Sequence, residues 1–207
     1  MRKIILLLTL CFLIVHLFAQ SDRKNLIETH IALGAGGYGP VGLVGAPSYN
    51  TKCYYTIGLD YSRRLSKHWD FCSGFEYTYN SMTAKSITTG KLLTAKAHLT
   101  MTTIPVQLKY HFGRFMYLNG GMLLNITAKE QMNNFWTLLD QKNNVALLLG
   151  VGLGIGFDYE FNSGITLSIN PYARYNGIGK AVSLQSESLE HYKYIQGGVR
   201  LGIGYKF

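Results

Sequence analysis

The last fifteen residues, 193–207, constrain the fold more tightly than any other stretch of the chain. Odd positions run Ile195, Gly197, Val199, Leu201, Ile203, Tyr205 and Phe207; even positions run Tyr194, Gln196, Gly198, Arg200, Gly202, Gly204 and Lys206. An unbroken period of two over this length reads as a β-strand with one apolar and one polar face. A strand that ends a chain has an open edge, and in lipid each exposed backbone group costs several kcal/mol, so this strand is expected to pair on both sides. The expectation is a closed, membrane-spanning barrel.

The rest of the chain supplies seven more segments of the same kind, at 27–38, 54–64, 69–80, 101–112, 115–126, 144–161 and 165–176. Their apolar rows include Ile31, Leu33 and Ala35; Tyr55, Ile57, Leu59 and Tyr61; Trp69, Phe71, Phe75 and Tyr77; and Ile104, Val106, Leu108 and Tyr110. In the fifth segment Met116, Leu118, Met122 and Leu124 read as outward, although a bulge at its turn would reverse them. Connections alternate long and short, the short ones at 65–68, 113–114 and 162–164. The fold class is therefore all-β: an eight-stranded antiparallel up-and-down transmembrane β-barrel with short periplasmic turns and long extracellular loops. Aromatic residues fall where membrane-interface girdles belong, Trp69, Phe71, Tyr110, Phe112, Phe157, Tyr159, Tyr205 and Phe207 near the short turns, and Tyr55, Tyr77 and Tyr79 near the long loops.

The start of the chain is a leader. Arg2 and Lys3 precede sixteen mostly apolar residues and then Gln20, Ser21 and Asp22, so residues 1–19 read as a signal peptide cleaved after Ala19 and residues 20–207 as one barrel domain. Loss of Arg2 and Lys3 takes the formal charge from +9 to +7. The basic residues are scattered and the chain is exported, so lipid head groups, not nucleic acid, are the expected counter-charge. Lys85, Lys91 and Lys96 fall in a long polar loop at 81–98, where lipopolysaccharide phosphates are their expected contacts. With 65–68 as a hairpin turn, Cys72 lies opposite about residue 61, far from Cys53, and no disulfide is expected.

The inward row carries the ionisable residues. Glu28, Asp60, Glu76, Asp158 and Glu160 face Lys109, Arg174, Arg200 and Lys206 by parity, and in so narrow an interior they are expected to pair as a lumen charge network, with Arg174 and Arg200 at its centre. Gly150, Gly152, Gly154 and Gly156 are expected to leave room for Arg174 and Tyr172. Pro105, inside a strand, is expected to mark a bulge. His30 and His111 also face inward, but neither stands at ligand spacing and no Ser/His/acid set falls at one height; no catalytic, metal or cofactor site is expected. Gly34-Ala-Gly36-Gly-Tyr-Gly39 matches a dinucleotide fingerprint only in letters, because Pro40, Gly42, Gly45 and Pro47 forbid the helix such a site needs.

The run Thr103-Ile-Pro-Val-Gln-Leu-Lys-Tyr-His-Phe112, the Leu118-Asn-Gly-Gly121 strand, the glycine-rich sixth segment and the terminal Gly202-Ile-Gly-Tyr-Lys-Phe207 together resemble the PorT-type outer-membrane β-barrel domain family. The resemblance covers nearly the whole mature chain. Its motifs are architectural and name no active site; it implies a small barrel in the bacterial outer membrane, and one branch of the family consists of accessory factors of type IX protein secretion. The row Val199, Leu201, Ile203, Tyr205 and Phe207 likewise resembles the terminal strand by which the outer-membrane barrel assembly machinery recognises its clients. Outer-membrane lipid, that machinery, and secretion-system or periplasmic proteins are thus the expected partners. Three functions compete: a structural or partner-binding barrel that does not conduct, a membrane-embedded lipid-modifying enzyme, and a soluble lipocalin-like carrier with the apolar row turned inward.

Overall fold

The computed structural model describes residues 24–40, 48–88, 91–130, 145–183 and 192–207. They form eight strands: β1 (Asn25–Pro40), β2 (Ser48–Arg64), β3 (Trp69–Thr88), β4 (Lys91–Phe112), β5 (Met116–Glu130), β6 (Val145–Glu160), β7 (Ile165–Ser183) and β8 (Tyr192–Lys206). Each strand pairs antiparallel with the next in sequence, and β8 returns to β1, closing the barrel. At this seam Asn25 N–H donates to the Phe207 carbonyl at 2.9 Å, and Phe207 N–H to the Asn25 carbonyl at 2.8 Å. The proposed leader, residues 1–19, lies outside the described residues.

Burial is inverted relative to a water-soluble protein. Leu153 is 70% exposed and Leu33 67%, whereas Glu76, Asn125 and Asn176 are 0% exposed. A soluble carrier would bury its apolar row, so this inversion removes the lipocalin-like reading and leaves lipid as the solvent of the outer wall. In β5, Leu118 and Met122 point outward while Tyr117, Asn119, Leu123 and Asn125 are buried. Rings gather near the short turns, with Trp69 and Tyr110 at 4.9 Å and Tyr159 and Phe161 at 4.9 Å between centroids. Tyr55 and Tyr79 stack at 5.2 Å nearer the other end.

Several expectations are corrected. The polar loop at 81–98 is instead a ladder: pairing of β3 with β4 continues from Ser81↔His98 to Thr88↔Lys91, so Lys85, Lys91 and Lys96 lie in strands. Hydrogen bonding along a two-stranded ribbon tolerates polar residues on both faces, which hides it from an alternation test. Pro105 makes no bulge. Its register with β5 is continuous, and Ser73↔Val106 and Glu76↔Thr103 keep one register with β3, so the missing donor only thins the ladder locally. The register shifts fall elsewhere, between Gly34 and Gly37 in β1, between Thr51 and Cys53 in β2, and in β6–β7 beside Gly177, whose φ is 106°. Cys72 pairs with Ser62, one residue from the expected position, while Cys53 pairs with Ser81 on the opposite face; both thiols are free.

Candidate functional site

Among the described residues, the lumen is where the fold gathers its buried ionisable side chains. Alternation puts Glu28 and His30 on one face of β1, Asp60 on β2, Glu76 on β3, Arg174 on β7 and Arg200 on β8, all pointing inward. Closure then sets β7 and β8 across from β2 and β3. Arg174 donates through Nη1 to Glu76 Oε2 and through Nη2 to Glu76 Oε1 at 2.8 Å, a bidentate pair. Arg200 bridges two carboxylates, Nη1 to Asp60 Oδ2 at 2.8 Å and Nη2 to Glu76 Oε1 at 2.6 Å. The Tyr172 ring lies 4.6 Å from the Arg174 guanidinium and 5.8 Å from that of Arg200, and its hydroxyl accepts from Tyr54 at 2.9 Å.

Toward the short turns, Lys109 Nζ stands 3.3 Å from Asp158 Oδ2 and 4.1 Å from the Tyr117 ring centroid. Glu28 is buried, but its Oε2 has no hydrogen bond. Beyond them opens a cavity of about 610 Å³ lined by Lys24, Arg64, Asp70, His111, Arg114 and Lys206 among others. At this mouth Arg64 Nε donates to Asp70 Oδ1 at 2.6 Å and His111 Nε2 lies 2.8 Å from Asp70 Oδ2. Glu160 belongs here and not to the deep network: it pairs with Lys206 at 2.6 Å in an exposed position at the rim. The strand that carries it has already left the lumen.

Toward the loop end the lumen is filled by amides, which a search for charges passes over. Thr103 donates to Asn125 at 2.7 Å, Asn125 to Asn176 at 2.9 Å, Asn176 to Gln196 at 3.0 Å, and Gln196 to the Tyr194 hydroxyl at 3.3 Å, which also accepts from Asn80 at 2.6 Å. The chain crosses from β4 to β3 by way of β5, β7 and β8. Their signal in sequence was the inward parity of short polar residues. These amides also correct the expected use of the sixth-strand glycines. Only Gly152 makes room for Arg174, whose Cγ would lie 3.4 Å from an added Cβ; Gly154 faces Asn119 and Asn170, Gly150 faces Asn176, and Gly156 faces the Tyr117 ring. Tyr172 packs instead with Tyr54 and Ala32.

In fold the chain is similar to the outer membrane protein OprG from Pseudomonas aeruginosa, with a TM-score of 0.52 and 15% identity over 89% of this chain and 96% of that one. Neisserial surface protein A aligns at a TM-score of 0.48 and 14% identity, covering 88% and 97% of the two chains. Ail, the attachment invasion locus protein of Yersinia pestis, aligns at 0.46 and 14%, covering 89% and 99%. No curated protein sequence matches the chain. The model of the family described as outer membrane protein beta-barrel domain matches residues 18–207, nearly the whole length, so this chain belongs to that family and is a protein of the bacterial outer membrane.

Proposed function

We propose that this protein is a non-conducting barrel with a structural or partner-binding role, acting through what it displays at the two membrane faces and neither transporting nor transforming a substrate in its lumen. One observation supports the reading: Arg174 bonds Glu76 from β7 to β3 and Arg200 joins Glu76 to Asp60, so charged side chains occupy the middle of an interior only about as wide as the side chains that fill it.

The surface best suited to a partner is the β3–β4 arm. The β3–β4 ladder runs on past the last described pair of β4 with β5, His98↔Glu130, to Thr88↔Lys91, a paired ribbon whose backbone and side chains a partner can meet. The narrower form of the proposal, an accessory role in type IX secretion, rests on the PorT-type resemblance of 103–112, 118–121 and 202–207, and is tested by secretion in a deletion strain. Planar-bilayer recording tests the general form. Purified native protein should give no steady single-channel current, and steady currents would show an open lumen and end the proposal.

A further inference from the structure

We propose that Glu28, His30 and Asp60 form a binding site for one divalent transition-metal cation of the Zn²⁺ class. Glu28 and His30 are two apart on the inward face of β1, and Asp60 is the ladder partner of Glu28 on β2. One donor atom from each falls within 4.8 Å of the other two. Short-range sequence motifs miss this set, because two ligands come from alternate positions of one strand and the third from the neighbouring strand.

The donors suit the ion. An imidazole with two carboxylates favours Zn²⁺ and its first-row neighbours over Ca²⁺ or Mg²⁺, which prefer oxygen alone. Two donors each about 2.1 Å from a shared cation stand roughly 3.0–3.4 Å apart. His30 Nδ1 and Asp60 Oδ2 are 3.2 Å apart. On the far side of the ring Nε2 lies 3.5 Å from Glu76 Oε1, and Glu76 is itself held by both arginines. A carboxylate behind a coordinating histidine fixes its tautomer and orientation.

A second, independent observation points to a ligand. Glu28, His30 and Asp60 are 6%, 4% and 8% exposed, yet Glu28 Oε2, both His30 ring nitrogens and Asp60 Oδ1 make no hydrogen bond. Buried polar atoms left this way cost about 1–3 kcal/mol each, and such a concentration calls for something that satisfies them together. The charge balance asks for the same sign. With a neutral imidazole, Glu28, Asp60, Glu76 and the partly exposed Asp158 exceed the buried cations Lys109, Arg174 and Arg200 by one, while Asp70 at the mouth is balanced by Arg64. An imidazolium would also correct that excess, but it needs two aligned N–H donors, and neither ring contact is aligned as a hydrogen bond. The mouth cavity at the turn end approaches the triad to within one inward pair. Leu26, Ser62 and Thr166 line the inner part of the mouth cavity, and the next inward-facing pair along β1 and β2 is Glu28↔Asp60.

The test is Zn²⁺ titration by calorimetry on chelator-stripped protein folded in detergent micelles, with bound metal measured after desalting. One Zn²⁺ per barrel is expected, with affinity lowered on the order of tenfold or more in Glu28→Gln and His30→Gln. His98→Gln and His111→Gln, outside the triad, should bind as native. Glu28→Gln keeps the side-chain shape and carries the decision if His30→Gln does not fold. Absence of retained Zn²⁺ in the native protein would overturn the site in favour of a protonated His30. Binding unchanged in Glu28→Gln, or lost in His111→Gln instead, would overturn it in favour of adventitious metal at the mouth.

Discussion

The residue on which the lumen most depends is Glu76. It is fully buried and takes hydrogen bonds from two guanidinium groups, so its loss leaves two buried cations with no carboxylate between them. Breaking such a set by removing one partner costs about 3–5 kcal/mol. Glu76→Ala should therefore lower stability by that amount in denaturant unfolding in micelles. Arg64→Ala, which breaks a pair at the mouth with the arginine side chain 33% exposed, should cost only about 1 kcal/mol or less. Equal effects of the two would contradict the picture of a dry centre and a wet rim. Glycine positions make a sharper contrast. A Cβ at Gly154 would meet Asn119 Oδ1 at 2.6 Å and Asn170 Oδ1 at 2.7 Å, whereas one at Gly197 would meet nothing nearer than the Tyr172 carbonyl at 3.9 Å. Gly154→Ala should destabilise by about 1–3 kcal/mol through overpacking of the amide cluster. Gly197→Ala, on the lipid face, should be neutral or raise stability by up to about 1 kcal/mol. The same unfolding measurement reads both.

At the scale of the element, β3 and β4 stand apart. They are 20 and 22 residues long, and their ladder continues past Lys85↔Thr94, the last level at which β2 pairs with β3, to Thr88↔Lys91. Since β2 flanks β3 as far as Lys85, whose partner on β4 is Thr94, replacing residues 86–93 by a two-residue turn should leave the folded barrel intact. Heat-modifiable migration on electrophoresis checks this, and loss of the folded band would show that the arm supports the wall. In β7, Gly177 holds φ at 106° where the β6–β7 register shifts. An L side chain there is strained, so Gly177→Ala should cost on the order of 1–2 kcal/mol while the bulge persists. Gly113 and Gly164, at φ 83° and 88°, serve the short turns in the same way.

For the whole molecule, closure is what makes the wall compatible with lipid. Every strand has two neighbours, so the backbone is satisfied from within, and the unboiled protein should resist dodecyl sulfate and migrate apart from the boiled form. Co-migration of the two would argue that the seam between β1 and β8 is open. The interior in turn is filled by charge pairs and amides in place of an apolar core. The stability of the barrel thus rests on these polar side chains, which is why disruption of the network should lower it.

Facing is legible in the linear sequence because it is local: a strand with Ile, Leu and Val at every second position has only one side it can turn to lipid, and a one-residue slip would expose them all to the lumen. The rows of 27–38, 54–64, 69–80 and 193–207 therefore specified their own inward residues, Glu28, Asp60, Glu76 and Arg200. Which of these meet is not local. Arg174 reaches Glu76 over 98 positions of chain and Arg200 reaches Asp60 over 140, distances bridged only when the sheet curls and β8 returns to β1. The height at which each inward residue sits depends on stagger around the barrel, and the bulges at Gly34–Gly37 and Gly177 shift that stagger by amounts no alternation pattern records. Hence polarity and facing followed from the order of the residues, while the register of β1 on β2 brought Glu28, His30 and Asp60 together, and closure decided the pairing of Glu76 with two arginines and the amide chain from Thr103 to Asn80.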